Sequence, residues 1–173
     1  TEHHAILDTA KHLEENGCKV TYLSVNEYGE INIDVLKNSI TDETILISIM
    51  FANNEIGTIQ NVTEIGKIAH EYDVLFHTDA AQALGHIPID VKKMNIDLMS
   101  MSSHKIYGPK GIGALYIRSI MPRVKINSIV YGGGQERNIR SGTLNVPGIV
   151  GFAKAVEIAI DEMDVENKKY KKW

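Results

Sequence analysis

Five short runs of apolar and β-branched residues are the feature of this sequence that most constrains its fold. The runs cover residues 20–25, 45–51, 74–78, 97–102 and 112–118. Runs of five to seven residues are typical of strands, and nearly unbroken apolar runs indicate strands covered on both faces. Because segments with helical spacing separate them, the pattern predicts an α/β fold, with a mostly parallel sheet and helices on both faces.

The segments between these runs carry helix signals. Apolar residues recur at helical spacing from Ala5 to Leu13 and end before Gly17, and Asn61 with Glu64 forms a cap in front of a third helix. A second helix is expected over 34–40, another after a cap at Asp90, and a long one over 147–163. The charged tail, residues 164–173, is expected to be a linker or the start of a further helix.

Composition excludes several classes of function. The 173 residues suit one domain, and a net charge of −4 with a pI near 6.0 provides no basic field for nucleic acid or anionic lipid. No apolar run reaches the roughly 18 residues that a membrane span needs. Cys18 is the single cysteine, so it has no internal disulfide partner. This favours a reducing compartment, such as the cytoplasm or the mitochondrial matrix.

Two residues that follow predicted strands carry the chemical signal. Asp79 ends the apolar run 74–78, and Lys105 follows the run 97–102. The carboxyl ends of parallel strands meet at one edge of a sheet, where ligands bind, so one ligand could touch both side chains. A lysine for a Schiff base and an acid for a ring nitrogen are what pyridoxal 5'-phosphate (PLP) requires. The alternatives are that Asp79 only caps a helix and that Lys105 is only a solvated turn residue.

Other motifs are weaker. Ser102-x-x-Lys105 matches the serine motif of penicillin-binding proteins, but its companion motifs are absent from the sequence. The glycines at 132–134 lack dinucleotide spacing and favour a flexible turn. Paired side chains such as His3 with His4, or His77 with Asp79, have no third ligand at a useful spacing, so no metal site is predicted.

Longer motifs occur together, in the order of one known family. They are Thr1-Glu2-His3, NNEIG at 53–57, His77-x-Asp79-x-x-Gln82, SSHKIYGPKG at 102–111 and GGGQERNIRSGT at 132–143. With them, the chain resembles the cysteine desulfurases of iron–sulfur cluster assembly to about residue 163. The resemblance implies the large domain of a fold-type I PLP enzyme over 1–163, followed by a missing small domain. Such an enzyme takes sulfur from L-cysteine as a persulfide and leaves L-alanine.

The resemblance also implies residue roles. Lys105 is implied as the Schiff-base lysine, Asp79 as the partner of the pyridine nitrogen, and His3 as a residue that stacks on the ring and moves protons. The other implied cofactor contacts are Gln82 and Asn54 near the phenolic oxygen, Ser102 and His104 at the phosphate, and Thr143 reaching the phosphate of the neighbouring subunit in a homodimer. Iron–sulfur scaffolds and other sulfur acceptors are implied as partners of the full-length form.

The sequence departs from the family pattern in missing segments and at two glycine positions. The family's catalytic-cysteine loop, its N-terminal phosphate loop and its substrate-carboxylate arginine are missing, so the chain alone is expected to release no alanine from cysteine. Cys18 follows the first helix and is expected to pack. Ser103 and Asn138 stand where relatives usually have glycine. The alternatives are a selenocysteine lyase, another lyase of this fold type, or a non-catalytic module that dimerises or docks partners.

Overall fold

Three adjacent parallel strands end at one edge of a sheet in the computed structural model, which describes residues 1–120 and 123–172. The residue at 173 of the predicted tail lies outside the described residues. The helices are α1 (His4–Glu15), α2 (Ile33–Ser39), α3 (Val62–Glu71) and α4 (Val146–Tyr170). The strands are β1 (Leu46–Ser48), β2 (Leu75–Asp79), β3 (Leu98–Ser102) and β4 (Gly113–Ile117). Short 3₁₀ turns cover Ser103–Ile106 and Glu136–Asn138.

The sheet has the order β1-β2-β3-β4. The first two pairings are parallel, with Ser48 opposite His77 and Asp79 opposite Ser100. The pairing of β3 with β4 is antiparallel, because the short connection between them leaves no room for a crossover helix. The predicted fold class, a mostly parallel α/β sheet, is confirmed.

One face of the sheet packs against α3. Ile65, Ile68 and Ala69 of this helix are buried, as is Phe76 of β2. Asn61 caps α3 as predicted, because its Oδ1 accepts a hydrogen bond from the Glu64 N–H. This packing fixes β2, and with it Asp79, in the centre of the domain.

The strand predicted over 20–25 is not formed. Within the described residues its only pairing is an isolated antiparallel bridge between Val25 and Ile31, so this segment has no strand edge to extend along. The run 45–51 also gives a shorter strand than predicted, and it is not covered on both faces, since Ile45 is 80% and Leu46 is 45% exposed. Apolar runs predict strands correctly only where a neighbouring edge is present.

Two helix predictions also need correction. The segment after Asp90 is a turn, in which the carboxylate accepts hydrogen bonds from the N–H groups of Lys92 and Lys93 and no helix follows. The last helix runs to Tyr170, past the predicted end at residue 163, because the charged tail contains no glycine or proline to stop it. No helix in the described part of the chain is long and apolar enough to cross a bilayer.

The segment around α1 is less buried than its sequence suggests. None of its residues is buried, although its apolar spacing is helical and its bounds agree with the prediction. Cys18 follows it and is exposed, so the expectation that this cysteine packs in the interior is wrong.

A charged cluster stabilises the opposite end of the sheet. Asp97 is fully buried just before β3, and its carboxylate lies 2.9 Å from Arg118 Nε and 3.0 Å from His70 Nε2. The same carboxylate accepts a hydrogen bond from the N–H of Phe76. A buried charge is tolerated only with such partners, so this cluster ties the start of β3 to β4 and α3.

Candidate active site at the carboxyl edge of the sheet

Asp79 is a buried carboxylate at the end of β2. Its side chain accepts a hydrogen bond from the Ala81 N–H at 2.9 Å, and its backbone carbonyl accepts one from the Phe51 N–H. The residue is only 7% exposed, and no ion pair among the described residues includes it. Capping of the turn therefore uses one carboxylate oxygen and leaves a charge that a cationic ligand atom could pair with.

Lys105 lies on the neighbouring strand end. It belongs to the Ser103–Ile106 turn directly after β3, and β3 is the parallel neighbour of β2. Hydrogen bonds from Ser103 N–H to the Ile112 carbonyl and from Gly108 N–H to the Ser103 carbonyl hold this turn. Lys105 itself is exposed, and no hydrogen bond or ion pair between described residues uses its amine. The amine is therefore available to a ligand.

Two further polar side chains of this turn contact each other. Ser102 Oγ and His104 Nδ1 are 2.9 Å apart at the carboxyl end of β3. Because Ser102 bonds the imidazole and no hydrogen bond joins it to Lys105 in the described chain, the geometry does not support the serine–lysine motif considered from the sequence. A hydroxyl beside an imidazole at a strand end is a suitable donor set for an oxyanion.

The segment before α1 is tied to the end of β1. The Glu2 carboxylate accepts a hydrogen bond from the N–H of Met50, and Asn53 Nδ2 donates to the Thr1 carbonyl. His3 follows directly and caps α1, because its Nδ1 accepts the Ala5 N–H at 3.1 Å. These contacts hold the exposed imidazole at the same edge as Asp79 and Lys105.

Glu2 adds a second carboxylate near Asp79, which the sequence reasoning did not single out. Burial raises the pKa of Glu2, the Met50 N–H opposes that rise, and the charge of Asp79 adds to it. Its Oε2 is buried and has no hydrogen-bond partner among the described residues. The candidate site thus places two carboxyl groups near each other in a partly dry place.

His77 lies below this edge, two residues before Asp79. Its Nδ1 is 2.8 Å from Ser48 Oγ, and its Nε2 is 2.9 Å from Ser100 Oγ. Burial lowers the pKa of His77, against a smaller opposite effect of Asp79. The sequence reasoning weighed His77 only as a metal ligand, although its period-two spacing from Asp79 already placed both on one face of the strand.

The remaining predicted site residues lie on turns and loops of the chain. Gln82 is half-buried in the turn after Asp79, and Asn54 is exposed in the loop after β1. Thr143 lies in the exposed loop before α4, and no side-chain hydrogen bond of the described residues involves it. No cluster of three or more metal-ligating side chains occurs in the described part of the chain.

Asn138 and Ser103, the two departures from the family's glycines, differ in backbone conformation and packing. Asn138 has φ of +65° within a run of three positive-φ residues, which agrees with the tolerance of asparagine for that conformation. Ser103 is fully buried, and its Oγ has no partner among the described residues. It packs so tightly on Gly108 that a Cβ there would lie 2.2 Å from Ser103 Oγ. The site loop therefore accommodates the serine only because residue 108 is glycine.

The protein is an α/β protein whose mostly parallel sheet carries a lysine and an acid at its carboxyl edge. The model of the aminotransferase class-V family matches residues 1–172, and the chain belongs to that family.

Two relatives show which proteins the chain resembles in sequence. The chain is 60% identical over 168 residues to cysteine desulfurase IscS of Clostridium botulinum, covering 97% of this chain and 42% of the relative. It is 60% identical over 167 residues to cysteine desulfurase IscS of Methanosarcina thermophila, covering 96% and 41%. The chain thus spans less than half the length of these relatives.

Solved structures agree in fold. A NifS-like protein superposes with a TM-score of 0.89 at 46% identity, covering 94% of this chain and 44% of that one. SspA, solved in complex with cysteine, superposes with a TM-score of 0.86 at 47% identity, covering 90% and 45%. The resemblance to cysteine desulfurases stated from the motifs is confirmed.

Proposed function

We propose that this chain is the cofactor-binding part of a PLP-dependent cysteine desulfurase, which converts L-cysteine to L-alanine and passes the sulfur on as a persulfide. One observation carries the proposal. Asp79 is buried at the end of β2 with no ion pair to any described residue, and the exposed amine of Lys105 lies on the turn after the adjacent β3. An acid that awaits a cation next to an available lysine fits PLP, whose ring nitrogen and aldehyde need these two groups.

When bound, PLP supplies an electron sink for the carbanion that forms at the substrate's α-carbon. The ionised Asp79 would keep the ring nitrogen protonated, because an opposite charge in a partly dry site favours the charged form. Lys105 would hold the cofactor covalently through its amine, and that amine would also be the group at this edge that moves a proton.

The other proposed roles use donors at the same edge. Ser102 and His104 would bind the phosphate, and their 2.9 Å contact brings the two side chains together at this edge. His3 would lie against the ring, with Nδ1 used by the Ala5 N–H and Nε2 left for proton transfer. Gln82 and Asn54 are proposed as neighbours of the ring's phenolic oxygen.

Thr143 is proposed to act in a homodimer. It is exposed on the loop before α4, so its side chain is accessible to a neighbouring subunit. Residues 1–163 are proposed as the large domain, with α4 leading through residue 170 toward a second domain. Sulfur-accepting proteins, iron–sulfur scaffolds among them, are proposed as partners of the full-length protein.

The test uses the full-length protein with PLP and equal concentrations of cysteine or selenocysteine. Release of alanine and sulfide from cysteine, lost in Lys105→Ala and retained in Lys110→Ala, would support the proposal. Turnover of selenocysteine alone would assign a selenocysteine lyase instead. Absence of turnover with both substrates, in protein that binds PLP, would favour a non-catalytic docking module. The names of the relatives above favour the first outcome.

A further inference from the structure

A partly buried polar layer crosses the three parallel strands directly below the candidate site. His77 of β2 is 8% exposed, and both of its ring nitrogens are within hydrogen-bond distance of serine hydroxyls. Ser48 belongs to β1 on one side, and Ser100 belongs to β3 on the other. One imidazole thus links the side chains of three neighbouring strands.

Strand geometry connects this layer to Asp79. Side chains two residues apart on a strand share a face, so His77 and Asp79 lie on the same face of β2. Ser100 pairs opposite Asp79 in the β2–β3 register, and Ser48 pairs opposite His77 in the β1–β2 register. The serine that bonds His77 is therefore also the cross-strand neighbour of the carboxylate.

Burial favours the neutral form of the imidazole in this layer. Burial lowers its pKa, and the Asp79 charge, which favours the protonated form, does not outweigh that effect. Glu2, the other carboxyl group near Asp79, is itself held toward its neutral form by burial. Serine hydroxyls can donate or accept, so they satisfy a neutral ring in either tautomer.

We infer that His77 is a positioning residue for Asp79: its imidazole, hydrogen-bonded to Ser48 and Ser100, fixes the strand end that carries the carboxylate and leaves that carboxylate to a cationic ligand atom. The inference rests on the proposed function for the identity of that atom, the PLP ring nitrogen. A protonated histidine in this place would compete with the ring for the charge of Asp79. A side chain without polar atoms would leave two hydroxyls unpartnered and loosen the strand end.

The test compares variants of the full-length protein by equilibrium titration with PLP. His77→Leu should weaken PLP binding by about 5- to 20-fold, because the hydrogen bonds to both hydroxyls are lost. His77→Gln, which keeps an uncharged polar group, should restore most of that affinity. Ser48→Ala with Ser100→Ala should reproduce the leucine effect without changing the imidazole, which covers the case that His77→Leu fails to fold.

A second measurement reports the protonation state of His77. In [¹⁵N]histidine-labelled apoprotein, with the signal assigned by comparison with His77→Gln, His77 should remain neutral from about pH 6.5 to 9. An imidazolium signal at pH 7, or unchanged PLP affinity in both His77→Leu and the double serine variant, would overturn the inference. Failure of the proposed function is distinguishable, because wild-type protein would then form no covalent PLP adduct at Lys105.

Discussion

Asp79 is the last residue of β2, and Lys105 lies three residues beyond the end of β3, its parallel neighbour. The two groups reach one edge because both strands run in the same direction and their polar residues come directly after the apolar segments. The carboxylate is buried and the amine is exposed, so the pair could accept a ligand that buries a cation and offers a carbonyl group.

Asp79→Asn should weaken PLP binding without unfolding the protein. The amide can still accept the Ala81 N–H, but it loses the charge that would pair with the ring nitrogen. A charged hydrogen bond contributes about 1.5–3 kcal/mol, so the dissociation constant should rise roughly 10- to 150-fold in a spectroscopic titration. Asp42→Asn, on an exposed residue, is the control and should bind as wild type. Equal affinity of both variants would remove Asp79 from the site.

The buried cluster at the other end of the sheet should matter for stability. Asp97→Asn leaves Arg118 with no buried counter-charge, so the free energy of unfolding should fall by about 3–5 kcal/mol in denaturant titrations. Glu43→Gln breaks the exposed pair with Lys19 and should cost less than about 1 kcal/mol. Similar losses of unfolding free energy in the two variants would contradict the claim that the buried ion pair matters more for stability than the exposed one.

His77 also predicts how stability depends on pH. Its pKa is lowered in the folded protein, so below about pH 6.5 the unfolded chain binds a proton that the folded chain does not. Stability should therefore fall as the pH drops below that value, by up to about 1.4 kcal/mol per pH unit from this group. The slope between about pH 6.5 and 5.5 should be shallower in His77→Gln, and His86→Gln is the matched control. An unchanged slope in His77→Gln would count against the buried neutral imidazole.

Gly108 predicts a steric effect in the loop that carries Lys105. A Cβ at this position would lie 2.2 Å from Ser103 Oγ and 3.0 Å from Ala155 Cβ, so Gly108→Ala should lower stability by about 1–3 kcal/mol. Ser103→Gly in the same molecule should recover part of the loss, measured as the melting temperature. In Gly111→Ala the new Cβ would meet no atom within 4 Å, but residue 111 has a φ of +76°. Any loss of stability in that variant therefore reports backbone strain and not crowding. If the double variant recovers no stability, a clash with the Ser103 side chain is not the cause of the loss.

The sequence predicted those parts of the fold that depend on local signals. Asn61 caps α3, the apolar run before Asp79 forms β2, and Lys105 follows β3, because capping, period and turn residues lie within a few positions of one another. The run 20–25 failed as a strand because a strand also needs a paired edge, which is set by tertiary structure. The segment after Asp90 failed as a helix because its cap closes only a turn.

Contacts between distant residues could not be predicted in this way. The hydrogen bond of Glu2 to Met50 joins residues 48 positions apart, and the serines on either side of His77 come from two other strands. The register of the sheet brings the two serines to His77. Asp79 and Lys105 were recognisable in advance because each follows a strand, whereas the groups that support them become visible only in the folded chain.

Borohydride trapping tests the central claim most directly. The full-length protein is incubated with PLP, reduced, digested and mapped by mass spectrometry. The pyridoxyl group should be found on Lys105, absent in Lys105→Ala and retained in Lys110→Ala, which changes an exposed lysine five residues further along the same loop. Trapping on another lysine in wild-type protein, or undiminished trapping in Lys105→Ala, would contradict the assignment of this sheet edge as the cofactor site.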